Sequence, residues 1–216
     1  MREFERWTTT AINAYTRPMI DQYLEKLEKD LEGLGFKGQL YIMTSSGGML
    51  SPITARRFPV RLLESGPAAG MLMSAVQGRI LQLPNILSFD LGGTTAKGAL
   101  VRNYKPLKSD QMEVDRVNGA RKGSGFPLRI PVLDMIEIGS GGGSIAGIDD
   151  RGLLKVGPRS AGANPGPASY GKNGTSAALT DANLMLGYLD PNFFLGGEMK
   201  LDKQAAEVAI KETVGV

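Results

Sequence analysis

Asn85-Ile-Leu-Ser-Phe-Asp90-Leu-Gly-Gly-Thr-Thr95-Ala-Lys-Gly-Ala-Leu-Val101 is the stretch on which the reading of this chain turns. Two runs of β-favouring residues flank a glycine pair, which predicts a β-hairpin: a strand over 85–90, a turn at 91–95 and a returning strand over 96–101. Asp90 ends the first strand with a carboxylate. Gly92 and Gly93, lacking Cβ, let backbone N–H groups approach an anion, and Thr94 and Thr95 add hydroxyls. These four are candidate phosphate contacts, with Lys97 as a candidate counter-charge. Asp90 is a candidate catalytic carboxylate and a candidate ligand for Mg²⁺, a hard cation that takes oxygen ligands. The same pattern also suits a plain Gly-Gly hairpin with threonines chosen for strand propensity, and Lys97 also suits a solvent-facing strand position.

Downstream, a strand over 128–138 runs into Gly139-Ser-Gly-Gly-Gly-Ser144. A glycine run entered from an apolar strand leaves room for a ligand against backbone, so Gly139, Gly141, Gly142, Gly143 and Ser144 are candidate cofactor contacts; a flexible connector is the alternative. The carboxylates near these loops are Asp90, Asp134, Glu137, Asp149 and Asp181. Glu137 sits where strand meets glycine loop, as a catalytic candidate or a solvated edge charge. Asp181, in Thr180-Asp181 at a helix start, is a catalytic candidate or a helix-capping residue. Arg159 suits an anion contact or a loop-pinning role. Residues 103–127 are polar and glycine-bearing and read as a loop. Residues 156–174 read as a long irregular segment, which compact domains rarely spend without purpose.

Upstream, 14–33 reads as an amphipathic helix with Tyr15, Met19, Tyr23, Leu27 and Leu31 on one stripe, flanked by Ile20 and Leu24. A strand at 39–43 breaks at Ser45-Ser-Gly-Gly48. A second helix is predicted from near Pro67 to Ile80, with Ser65 as N-cap. A short helix follows Thr180, and a last one starts after Asp202. The fold class is therefore α/β: a mixed sheet with a β-hairpin and flanking helices.

Composition narrows the chemistry. The 216 residues suit one large domain or two small lobes. With no Cys, disulfides, thiolate zinc sites and cysteine nucleophiles are excluded; with no His, so are imidazole bases and Ser-His-Asp triads. Any general base must be a carboxylate or water. Glycine supplies 29 residues, about 13% against an ordinary ~7%, without a collagen-like period, which fits a turn-built site. The net charge of +3 makes no strong field, and the basic clusters Arg56-Arg57-Arg61 and Arg116-Arg121-Lys122 carry no interleaved aromatics, so no nucleic-acid partner is expected. No run approaches the ~20 apolar residues of a membrane span, and the first ten residues lack a signal's apolar core, so the expectation is a cytoplasmic protein without a membrane partner.

Three motifs occur in order: Asp90-Leu-Gly-Gly-Thr-Thr95, Gly139-Ser-Gly-Gly-Gly-Ser144, and Val156-Gly-Pro-Arg-Ser160 continuing through Asn164-Pro-Gly-Pro-Ala-Ser-Tyr-Gly171 to Leu179-Thr-Asp-Ala-Asn-Leu-Met-Leu-Gly-Tyr-Leu-Asp-Pro191. Together with Thr44-Ser-Ser-Gly-Gly48 and Ser65-Gly-Pro-Ala-Ala-Gly70, they resemble the hydantoinase A/oxoprolinase family, which includes N-methylhydantoinase A, 5-oxoprolinase and subunits of acetone and acetophenone carboxylases. The resemblance implies one lobe of an actin-like ATPase fold (ribonuclease H-like, Hsp70/sugar-kinase type) that closes on ATP and Mg²⁺. It implies ATP-driven activation of a cyclic amide or carbonyl oxygen ahead of hydrolysis or carboxylation, with a hydantoinase B-type subunit as partner and a homo-oligomer left open. Under it, 90–95 is the second phosphate hairpin and 139–144 the loop on the adenosine side. Family proteins are several times longer and carry another Asp-x-Gly-Gly-Thr hairpin in the first lobe. Residues 1–216 therefore resemble a central-domain fragment, expected to be inactive alone. Many relatives place a His just before the glycine loop, where this chain has Met135-Ile-Glu137; no role of that His carries over.

Overall fold

The computed structural model describes residues 2–116 and 123–215. The chain forms two compact units: Met1–Asp90 with Gly98–Ile136, and Leu91–Lys97 with Glu137–Val216.

The first unit opens with α1 (Glu3–Gly33), which begins eleven residues before the predicted start at 14. Thr8, Thr9 and Thr10 are weak helix formers. Here their hydroxyls bond carbonyls of the preceding turn, as in Thr9 Oγ1 to Glu5 O at 2.6 Å and Thr10 Oγ1 to Arg6 O at 2.9 Å. Thr8 also donates to Pro127 O, and Thr9 accepts from the Arg129 N–H at 2.9 Å, so the early turns are tied down by tertiary bonds. The buried stripe is only part of the predicted one. Leu24 is buried and Ile12, Ile20, Leu27 and Leu31 are half-buried, while Tyr15, Met19 and Tyr23 are 82%, 65% and 60% exposed. Two overlapping stripes run four residues apart, and packing chose the aliphatic one.

The hairpin β1 (Ile42–Met43) and β2 (Met49–Leu50) brackets the Ser-Ser-Gly-Gly turn. In α2 (Pro52–Arg57), Ser51 caps by accepting the Thr54 N–H. The basic cluster that follows is used within the fold. Arg56 pairs with Glu28 at 2.5 Å and Asp21 at 3.6 Å, and the Arg57 and Arg61 guanidiniums lie over the Phe58 ring. Next comes α3 (Ser65–Ile80). Its N-cap is Glu64, held left-handed at φ 62°, so Ser65 is the first helical residue and not the predicted cap.

The strands β3 (Ile86–Leu91), β4 (Ala96–Arg102), β5 (Lys105–Pro106) and β10 (Met135–Ile138) form one sheet in the order β10-β4-β3, with β5 paired to β4. The predicted hairpin is present. Ala99, Val101, Ile86 and Met135 pack on Ala68, Met71 and Ala75 of α3. In segment 103–127, expected as a loop, the described residues include short antiparallel strands. β6 (Lys108–Ser109) pairs with β9 (Val132–Leu133), and β7 (Met112–Val114) with β8 (Phe126–Leu128). Leu128, Ile130 and Val132 bury against Val60, which supplies the order that local polarity hid. The strand expected over 128–138 is accordingly broken into pieces of β8, β9 and β10. Arg116 pairs with Glu113; Gly119, Arg121 and Lys122 lie outside the described residues.

In the second unit β11 (Ser144–Ile148) pairs antiparallel with β12 (Leu154–Ser160), from Ser144 opposite Ser160 to Ile148 opposite Leu154. The segment from 156, expected to be irregular, thus starts as strand, with cis bonds at Gly157-Pro158 and Asn164-Pro165. Two helices follow, α4 (Leu179–Met185) and α5 (Lys203–Thr213). Asp202 caps α5 by accepting the Gln204 and Ala205 N–H groups at 2.9 and 3.0 Å. Leu184, Leu201 and Ala206 form the core there. Among the described residues no helix is long and apolar enough to cross a membrane.

Candidate functional site

The site grows from the hairpin tip. Gly92 N–H donates to Thr95 O at 2.9 Å and closes the bend. The N–H groups of Gly93, Thr94 and Thr95, and the hydroxyls of Thr94 and Thr95, make no hydrogen bond among the described residues. Gly93 is exposed, with open space where a Cβ would stand. Successive unpaired N–H groups at a bend form a concavity suited to an anion.

The second glycine turn behaves differently. Gly142 N–H donates to Gly92 O at 2.9 Å, and Gly143 N–H to Gly93 O at 2.6 Å. Gly141 N–H donates to the fully buried Ser144 Oγ at 2.8 Å. Thr180 seals Gly142 O with both its N–H and its hydroxyl, each at 2.8 Å. A Cβ on Gly141 would lie 2.6 Å from Gly92 O and from Thr94 N; one on Gly143 would lie 2.7 Å from Ser160 Oγ. These glycines allow two backbones to abut. The amides of Gly141, Gly142 and Gly143, read in the sequence as ligand contacts, are spent inside the protein. Gly139 has open space around it.

The carboxylates separate clearly. Asp181 is fully buried, and its oxygens accept the N–H groups of Ser169 at 2.8 Å, Ala178 at 2.8 Å and Ala168 at 3.3 Å. It organises the first turn of α4 and the loop beside it, which favours the capping alternative over catalysis. Asp149 holds a turn. The Leu153 and Arg151 amides lower its pKa from the ordinary carboxylate value. Glu137 pairs with Lys97, Oε1 to Nζ at 3.8 Å, so the candidate base and the candidate counter-charge are one ion pair. Asp90 is exposed near the end of β3, and its carboxylate makes no hydrogen bond or ion pair among the described residues. The described residues include no cluster of three acidic groups. A lone carboxylate would fit Mg²⁺ if the neighbouring bend held a phosphate, since that ion binds through one or two carboxylates plus phosphate oxygens and water. Arg159, in β12, is exposed.

A cavity of about 420 Å³ opens on the tip, within the range of small-molecule sites. Leu91, Gly92, Gly93 and Thr94 line one part; Tyr170, Asn183, Leu189 and Phe194 line another. The Tyr170 and Phe194 ring centroids are 5.6 Å apart, tilted by 46°. Burial raises the Tyr170 phenol above its ordinary pKa; the Thr180 hydroxyl opposes this and the Asp181 charge adds to it. Sequence reasoning missed these four residues. They lie in and just beyond the long motif running from 156 to 191, whose aromatics gave no periodic signal.

The hydantoinase/oxoprolinase family profile matches residues 6–215. A protein of Methanocaldococcus jannaschii is 44% identical over 98% of this chain and 31% of its own length. Caprolactamase subunit alpha of Pseudomonas jessenii is 36% identical over 99% and 30%, and 5-oxoprolinase of Dictyostelium discoideum 34% over 96% and 17%. The nucleotide-free structure of acetone carboxylase, from work on ATP-dependent acetone carboxylation, superposes with a TM-score of 0.80 at 29% identity, over 99% of this chain and 29% of that one. The chain thus spans about 30% of the length of the first relatives it matches. With the profile running almost from end to end, the chain belongs to the hydantoinase/oxoprolinase family.

Proposed function

We propose that this chain is the phosphate-gripping segment of an ATP-dependent enzyme that opens a cyclic amide of the hydantoin, 5-oxoproline or lactam type, in one lobe of an actin-like ATPase fold. The observation that carries the reading is the run of unpaired N–H groups at Gly93, Thr94 and Thr95, flanked by free hydroxyls. The names of relatives, caprolactamase and 5-oxoprolinase, point to the ring amide. Phosphoryl transfer asks a protein chiefly for positioning and charge stabilisation, which a rigid bend of amides supplies. The amide oxygen bonds to the terminal phosphorus of ATP as the bridging P–O bond breaks and ADP leaves with the electron pair. Water adds to the activated carbon, the ring C–N bond breaks with the amine taking a proton, and a second water releases phosphate from the resulting acyl phosphate. Asp90 would hold Mg²⁺, which would offset the phosphate charge, and Glu137, ion-paired with Lys97, accepts the proton of the attacking water. A hydantoinase B-type subunit completes the enzyme in the cytoplasm.

A second reading, an ATP-dependent ketone carboxylase subunit, is favoured by the fold match to acetone carboxylase. ATP turnover by a full-length protein containing this segment separates the two. Stimulation by 5-oxoproline, hydantoins or lactams without bicarbonate supports the hydrolase; stimulation by ketones only with bicarbonate supports the carboxylase; nucleotide binding that no substrate stimulates overturns both. The 216-residue chain alone is expected to bind Mg-ATP weakly and turn over nothing. Submicromolar affinity in calorimetry contradicts that.

A further inference from the structure

We infer that the corner formed by Tyr170, Leu189 and Phe194, with Asn183 on its wall, is the acceptor subsite, where the ring of the cyclic amide lies while its oxygen meets the phosphoryl group held at Gly93 and Thr94. This rests on the hydrolase reading above and assigns it a substrate site.

The corner and the phosphate bend line one cavity. Its apolar walls are held from behind, since Tyr170, Leu189 and Phe194 pack on the buried cluster of Leu184, Leu201 and Ala206. Some polar side chains on the lining are committed. Thr180 Oγ1 donates to Gly142 O, and Ser160 Oγ accepts the Gly162 N–H at 3.2 Å. Among the described residues, the Thr94 hydroxyl and the Asn183 carboxamide make no hydrogen bond. Thr94 belongs to the anion bend, which leaves Asn183 for the rest of the ligand.

A carboxamide presents an acceptor oxygen and a donor NH₂ on one edge. A small-ring amide is locked cis, so its N–H and C=O also project from one edge, and the two pair twofold. The carbonyl oxygen has two lone pairs, so one takes the Asn183 NH₂ and the other remains for phosphorus. The tilt of 46° between Tyr170 and Phe194 makes a corner and not a parallel slot. A puckered saturated ring fills a corner, whereas a flat purine prefers offset stacking on a face. Order along the ligand agrees. The acceptor must touch the terminal phosphorus beside the bend, and the nucleobase lies a triphosphate away.

The test is a set of titrations of the isotope-labelled 216-residue chain, followed by NMR, with caprolactam, 5-oxoproline, adenosine and inorganic phosphate as separate probes. Caprolactam or 5-oxoproline is expected to shift the Asn183 side-chain NH₂ and Tyr170 ring signals, and phosphate the Gly93 and Thr94 amides. Asn183→Leu should weaken the cyclic-amide titration about tenfold or more and leave the phosphate titration unchanged. Asn183→Asp, of the same shape, should do the same if the leucine variant does not fold. Phosphate shifts at Gly93 with no cyclic-amide shift at Asn183, or an unaltered titration in the Asn183→Asp variant, overturn the subsite and leave the proposed function standing. Shifts of Asn183 and Tyr170 by adenosine but not by cyclic amides make the corner a nucleoside site and also overturn it. If phosphate fails to shift Gly93 and Thr94, the phosphate grip falls, and the subsite with it.

Discussion

The two glycine turns of the second unit look interchangeable in the sequence and are opposites in the structure. Among the described residues, the bend at 92–95 keeps three amides and two hydroxyls unpaired; the turn at 141–144 spends its amides on Gly92, Gly93 and Ser144. One turn leaves its amides open and the other is the wall it leans on. Glycine thus serves in one place to expose backbone and in the other to let backbone meet backbone. The second turn makes the first possible, because Gly92 O and Gly93 O, tied down by Gly142 and Gly143, leave the following N–H groups pointing elsewhere.

The variant with the largest expected effect strikes the locked side. Asp181→Ala strands three buried N–H groups and should cost about 3–5 kcal/mol, read as a lowered midpoint in urea unfolding. A change below about 1 kcal/mol would show that this carboxylate does not hold the wall. Gly141→Ala comes next, at about 2–3 kcal/mol, because its Cβ meets backbone atoms that no rotamer change can move. Gly93→Val inverts the pattern. With open space at the position, stability should move by about 0.5 kcal/mol or less, while nucleotide retention and turnover in a full-length protein fall about a hundredfold. Equal losses of stability at Gly93 and Gly141 would erase the distinction. The smallest effect is at high pH. The Tyr170 phenol has a raised folded-state pKa, so its contribution is complete below the unfolded value of ~10 and is lost as pH rises toward the folded value. Tyr170→Phe should flatten the decline in thermal stability that begins above pH ~10.

Much of the frame was legible in the sequence because local signals agreed with tertiary ones. The Asp90–Thr95 hairpin, the helix after Asp202 and the capping alternative for Asp181 each rested on a residue type with one strong local preference. What was hidden depended on partners distant in the chain. The buried face of α1 could not be told from the Tyr15-Met19-Tyr23 stripe, because both repeat every four residues. The strands between 105 and 128 carry little apolar signal until Leu128 and Val132 find Val60. For the site, sequence supplied both glycine runs but not which of them kept its amides. The Tyr170–Phe194 corner joins residues 24 apart with no shared motif.

The hydrogen bonds that join the two turns also form a linkage. Gly142 gives its N–H to the hairpin and its carbonyl to Thr180 at the head of α4, and the next residue, Asp181, clasps the amides of Ala168 and Ser169. A displacement of the bend would therefore be felt at the head of α4. The line of bonds from the bend to the carboxy-terminal helices thus runs through the backbone of Gly142 and the side chains of Thr180 and Asp181.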